Sequence, residues 1–167
     1  SWRLSALTHL KRSPHIAVVT NIFPDHLNYY KTMSAYADDK KNIFRFQKAN
    51  DVVITDFDNQ LSRDMMQDAP GSVLFASVHK PIDGDGAWLS DETLFVSEQG
   101  KESVLLPASE VPLKGAHNIS NVLLAALATL SFGITLRDVR AAIKSFSGIP
   151  HRLEKIAEKN GVAYYND

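Results

Sequence analysis

A chain of 167 residues, 44% hydrophobic and 22% charged, has the length and composition of one globular domain with a core of ordinary size. Its formal net charge of −1 gives no electrostatic basis for binding nucleic acid or an anionic membrane, and the absence of cysteine excludes disulfides and thiolate metal sites. No apolar run approaches the roughly 18 residues of a membrane span and no signal peptide opens the chain, so a soluble cytoplasmic protein is expected.

The chain opens on "SWRLSALTHL", which reads as a helix or its approach and carries no starting methionine. "HIAVVTN" (15–21) is a β-branched run suited to a strand buried on both faces of a parallel sheet. Thr32 is a candidate N-cap for a helix over 33–47, and "DVVITD" (51–56) follows as a second strand. Asp58 can cap a short helix carrying Leu61 and Met65, and "SVLFAS" (72–77) is a third strand. This alternation predicts right-handed βαβ units. Between 78 and 115, short apolar runs broken by Gly, Asp, Ser and Glu predict antiparallel hairpins. Helices return in "NISNVLLAALATLSFG", stopping at Gly133, and in "LRDVRAAIKSF" behind a Thr135/Asp138 capping box. Two strand-like runs around Asn160-Gly161 predict a terminal hairpin. The expected fold class is α/β, a mostly parallel sheet flanked by helices with a small antiparallel β insert. Both ends lie in element-like sequence rather than polar tails, so a piece of a longer protein is expected.

Several residues are placed for chemistry. His26 lies a few residues past the carboxyl end of the first strand, where open α/β sheets bind ligands, with Asp25 beside it to orient the ring. A plain loop histidine is the alternative. Lys40 falls within an apolar helical stripe formed by Met33, Tyr36, Ala37, Ile43 and Phe44, about 20° from Met33 at 100° per residue. It can snorkel, pair with a buried carboxylate, or become a carbamate that offers oxygen to a hard cation. Lys41 lies about 80° from Met33, at the edge of the stripe. Asn118 is a natural N-cap, but with Asn121 at i, i+3 it also presents two amides on one face, suited to a planar base. His117 adjoins them. In "GIPHRLE" (148–154), His151 and Arg152 follow a glycine–proline turn, and the arginine can make a surface salt bridge or clamp a phosphate. There is no G-x-x-x-x-G-K-[ST] phosphate loop, and "GDG" (84–86) has neither its spacing nor its lysine.

In order, "TNIFPDHL", "YADDK" with "NI" close behind, "GAHNISN", "GIPHRLE" and "NGVAYYND" resemble the Mur ligases, the ATP-dependent amino-acid-adding enzymes of peptidoglycan synthesis. The five motifs span nearly the whole chain, and the last two are most similar to those of the D-glutamate-adding members. The resemblance implies that residues 1–167 are most of the central ATP-binding domain, of P-loop type but lacking its P-loop. The phosphate loop and a metal-binding glutamate would lie upstream, and the domain for the incoming amino acid downstream. It implies ATP, UDP-N-acetylmuramoyl-L-alanine and D-glutamate as substrates and two Mg²⁺ ions, one bridged by carbamylated Lys40. His26 then matches the histidine at the second Mg²⁺, Asn118 and Asn121 the adenine contacts, Arg152 the γ-phosphate contact, and Asp167 an aspartate near the ribose. The chain departs from the usual D-H-L-D at Asn28, with Tyr29 and Tyr30 after it. The intact enzyme is expected to be monomeric, and the 167-residue piece to be folded, inactive alone and prone to self-association through cut edges. Another Mur ligase, a folylpolyglutamate synthetase-like ligase, and a non-catalytic nucleotide-binding domain of the same fold are the alternatives.

Overall fold

The computed structural model describes residues 2–113, 115–151 and 154–166. Six strands form one sheet in the order β1-β2-β3-β4-β5-β6: β1 Ile16–Val19, β2 Val52–Asp56, β3 Ser72–Ser77, β4 Gly86–Ser90, β5 Thr93–Glu98 and β6 Lys101–Pro107. The first four pair in parallel, and β5 and β6 continue the same sheet antiparallel. The expected α/β class is therefore observed, with the antiparallel segment joined edge-on to the parallel one. β4 is parallel to β3 although only residues 78–85 connect them. The stagger explains this economy. Phe75 opposes Gly86, so the chain backs up by only two residues before pairing again, and no crossover helix is needed.

Successive residues of β2 point to opposite faces, and both faces are covered. Val53 joins Ala17, Val19, Ile22, Tyr36, Phe44, Met65 and Met66 on one side, under α3 (Met33–Lys41) and α4 (Gln60–Met65). Ile54 joins Leu123, Leu124, Leu127 and Leu130 on the other, under α5 (Ala116–Ser131) and α6 (Leu136–Ser145). Two short helices complete the set before α3: α1 (Ala6–Leu10) and α2 (Leu27–Tyr30). None of the described helices is long and apolar enough to cross a membrane.

Local signals place most ends. Thr32 accepts from the Ala35 N–H, and Thr135 accepts from the Asp138 N–H, as N-caps do. At the end of α5, Gly133 N–H bonds Leu130 O and Ile134 N–H bonds Thr129 O, a Schellman closure made possible by Gly133 at φ 92°. β7 (Glu154–Lys159) and β8 (Val162–Asn166) form a separate hairpin turning at Asn160 and Gly161, both at positive φ.

Two boundaries differ from expectation. The helix expected over 33–47 ends at Lys41, where Asn42, Ile43 and Phe44 donate to carbonyls three residues back and tighten the chain into turns. Asn59, not Asp58, caps α4. Asp58 instead accepts from Ser77 Oγ at 2.8 Å and the Val78 N–H at 2.7 Å, bracing the exit of β3.

Gln47 is buried and staples the start of the parallel sheet. Its Nε2 donates to Pro14 O at 3.0 Å and Val52 O at 2.9 Å. Gln47→Leu fills similar space but removes these buried hydrogen bonds, so urea unfolding should show a loss of about 1–3 kcal/mol. Asp85 organises the β5–β6 turn. The Gly100 and Gln99 N–H groups and Ser97 Oγ donate to it and hold its carboxyl below the usual value of 3.8, against the opposing effect of burial. A depressed folded pKa contributes stability above the unfolded value and loses it as pH falls through the folded one. The thermal midpoint of Asp85→Asn should therefore lie below that of the unsubstituted protein at neutral pH, and the gap should close as pH drops below 3.8.

Candidate functional site

At the carboxyl ends of β1 and β2 the chain leaves the sheet in two loops, and the candidate residues gather there. The β1 exit carries His26, whose backbone sits at φ 54°. Asp25 Oδ1 accepts the His26 N–H at 2.7 Å, and Asp25 Oδ2 lies 3.3 Å from Nε2. The expected Asp25–His26 partnership is thus present. The imidazole also meets the Tyr36 ring edge-on, with centroids 6.0 Å apart.

Tyr36 is buried from α3, and Lys40, one turn on, places its Nζ 5.0 Å from the centre of the same ring. The fold thus brings His26 and Lys40 to one aromatic ring from two different elements. Among the described residues no carboxylate lies within ion-pair distance of Lys40. Lys41 differs: its Nζ bonds Asp68 Oδ2 at 2.5 Å on the surface and holds that carboxyl below its usual range. A cavity of about 100 Å³ lies against Lys40, lined by Leu4, Val18, Val19, Thr20, Asn21 and Ile43.

The described residues contain no group of three or more His, Asp or Glu that converges as a metal centre. As an ammonium, Lys40 repels a cation. As a carbamate it offers two oxygens, and the cavity gives those oxygens room beside the polar groups of Thr20 and Asn21. Lys40 in that form would supply the oxygen donors that a hard cation takes.

On the opposite face of the sheet, α5 begins at Ala116 with Gly115 as its N-cap, so Asn118 is an interior residue of the first turn and not the cap. Asn121 Nδ2 approaches Asn118 Oδ1 at 3.5 Å, leaving the two amides side by side on a partly exposed face. Between them, Ser120 Oγ donates to Asp56 Oδ2 at 3.2 Å and ties this face to the end of β2. His117 is exposed, its ring packed on Gly115. His151 accepts Asn166 Nδ2 at its Nδ1, 2.7 Å away, and belongs to the hairpin. Arg152 and Asp167 lie outside the described residues.

Asn59, Tyr30 and Asp39 are functional candidates that the sequence pattern did not single out. Asn59 Nδ2 donates to Ile22 O at 3.1 Å while its Oδ1 caps α4. The Tyr30 hydroxyl donates to Asp39 Oδ2 at 2.6 Å, and burial together with that bond pushes the phenol well above its usual pKa. The polar run "DFDN" after a strand was the available signal for Asn59; the Tyr30–Asp39 pair left none.

Ligand-type residues at the carboxyl ends of parallel strands, drawn from both faces, define an α/β domain with its site at the strand ends. A family model for the Mur ligase middle domain matches residues 3–129. The chain belongs to that family. It is 39% identical to a protein named UDP-N-acetylmuramoylalanine–D-glutamate ligase from Acetivibrio thermocellus, over 100% of this chain and 35% of that protein. A protein of the same name from Clostridium botulinum is 40% identical over 93% of this chain and 32% of its own length. The chain therefore spans about a third of the curated relatives it matches. Among solved structures, a UDP-N-acetylmuramoyl-L-alanyl-D-glutamate–2,6-diaminopimelate ligase superposes with TM-score 0.71 at 24% identity, covering 95% of this chain and 34% of that one. MurF from Acinetobacter baumannii gives 0.72 at 20% identity, covering 93% and 34%. These structures share the fold.

Gly115 has φ 101° and ψ 144°, a region open essentially to glycine, and a Cβ there would stand 2.8 Å from the His117 ring. Gly115→Ala should cost roughly 1–3 kcal/mol in thermal or urea unfolding, with α5 fraying at its first turn in hydrogen exchange.

Proposed function

We propose that this chain is the ATP-binding portion of a ligase that joins D-glutamate to UDP-N-acetylmuramoyl-L-alanine. The observation that carries the proposal is the match, along its whole length, to a ligase of that name. The convergence of His26 and Lys40 on Tyr36 at the strand ends supports it. In the proposed reaction the substrate carboxylate takes the γ-phosphoryl group of ATP, releasing ADP, and the amine of D-glutamate attacks the acyl-phosphate, releasing phosphate and forming the peptide bond.

Phosphoryl transfer needs positioning and charge neutralisation more than covalent help from the protein. Mg²⁺, when bound, neutralises charge on the phosphate oxygens. His26 and a carbamylated Lys40 would hold it, both side chains lying against the Tyr36 ring. Asn118 and Asn121 present paired donors and acceptors to adenine from the first two turns of α5. Arg152 contributes a charge-assisted contact to the distal phosphate, and Asp167 a hydrogen bond to the ribose. A glycine-rich phosphate loop and an amino-acid domain belong to the remainder of the enzyme, so the 167 residues alone carry out no ligation.

In the full-length ligase, Lys40→Ala should lower ligation by about a hundredfold or more, because it removes an organised charge at the reacting centre. Lys41→Ala, which breaks an exposed ion pair with Asp68, should change it by less than about fivefold. Labelled bicarbonate should produce a carbamate carbon resonance that is absent in Lys40→Ala. Equal losses from the two substitutions would refute the assignment to Lys40.

A further inference from the structure

His26 sits on a connection with few means of holding it still. From Thr20 to Tyr29, Ile22 is the one buried side chain among those described. The bonds around His26 itself are local: Asp25 takes its N–H, and its carbonyl accepts from the Tyr29 and Tyr30 N–H groups. Such bonds shape the segment but cannot place it relative to Lys40, which belongs to another element. Among the described residues, side-chain hydrogen bonds tie both ends of the connection to the rest of the protein. At the root, Asn59 brackets Ile22, donating to its carbonyl at 3.1 Å and accepting its N–H at 3.4 Å. At the far end, the Tyr30 hydroxyl bonds Asp39, the residue immediately before Lys40. The Tyr30 ring lies 5.1 Å from Tyr36, the same ring that meets both His26 and Lys40.

We infer that Asn59 and the Tyr30–Asp39 pair are positioning residues that hold the His26 imidazole against Tyr36, the ring that Lys40 also meets. Asn59 fixes where the connection starts, and Tyr30 ties its end to the turn of α3 that carries the lysine. Releasing either anchor frees His26 to swing with its loop, while the core beneath, built on Val19, Ile22 and Phe44, keeps its packing. This inference rests on His26 being a ligand for the divalent ion, as proposed above.

The test uses the full-length ligase and three substitutions. Asn59→Ser keeps a side-chain oxygen for the α4 cap but is too short to reach Ile22. Tyr30→Phe keeps the ring against Tyr36 and removes only the hydroxyl. His26→Ala reports on the ligand itself. Direct Mn²⁺ titration by electron paramagnetic resonance should show about tenfold weaker binding in Asn59→Ser and Tyr30→Phe. The Mg²⁺ concentration for half-maximal rate should rise in parallel, while kcat at saturating Mg²⁺ changes by less than about threefold. Hydrogen exchange should quicken at the Tyr29 and Tyr30 amides and stay unchanged in β2. If His26→Ala weakens Mn²⁺ binding but neither anchor substitution does, the inference is wrong and the role of His26 stands. If His26→Ala leaves Mn²⁺ binding unchanged, the assignment of His26 fails and the inference fails with it.

Discussion

The candidate site depends on one buried ring. Tyr36 sits in the core cluster of Val19, Ile22 and Phe44, and from there it meets His26 edge-on, Tyr30 at a tilt and the Lys40 ammonium. A charge on an apolar helical face would cost several kcal/mol if it were fully desolvated. Lys40 avoids most of that cost. In its unmodified form it is half-buried, and its ammonium gains a cation–π contact of about 0.5–2 kcal/mol. The stripe tolerates the unmodified lysine because an aromatic ring lies beside it, and the same ring meets the histidine edge-on.

The sheet sets the distances around that ring. Among the described strands β1 pairs with β2 alone, and the buried Thr55 hydroxyl of β2 donates to Val19 O at 2.9 Å just where β1 ends. Four residues later Asn59 takes hold of Ile22. The exits of neighbouring parallel strands are thus bonded to each other before they diverge. Across the sheet, Asp56 bonds Ser120 and brings the start of α5, with its two asparagine amides, to the same edge. A parallel sheet puts all its strand ends on one side, so helices covering opposite faces deliver their residues to a shared rim.

Elements specified by neighbouring residues were legible in the sequence. Thr32, Thr135, Gly133 and the Asn160-Gly161 turn each act within a few residues, and each sits where local chemistry puts it. The end of α3 was not legible: Ile43 and Phe44 keep the helical period, yet the chain has already tightened into turns. Nor was the direction of β4. The hairpin-like composition of 78–115 is compatible with a parallel strand once Phe75 opposes Gly86, and that register depends on a partner distant in the chain.

Taken alone, the sequence determined the α/β class, the succession of strands and helices, the misfit of Lys40 on its stripe and the family whose motifs it carries. These follow from periodicity, turn chemistry and residue identity, all of which act over short stretches. The tertiary structure alone decided that His26 and Lys40 share Tyr36, that Asn59 rather than Asp58 caps α4, and that Asn59 bonds Ile22 while Tyr30 bonds Asp39. Asn59 and Ile22 are 37 positions apart, and whether two such groups meet depends on how β1 and β2 register in the sheet. That register is a property of the packed chain, set by burial on both faces at once, and no local pattern encodes it.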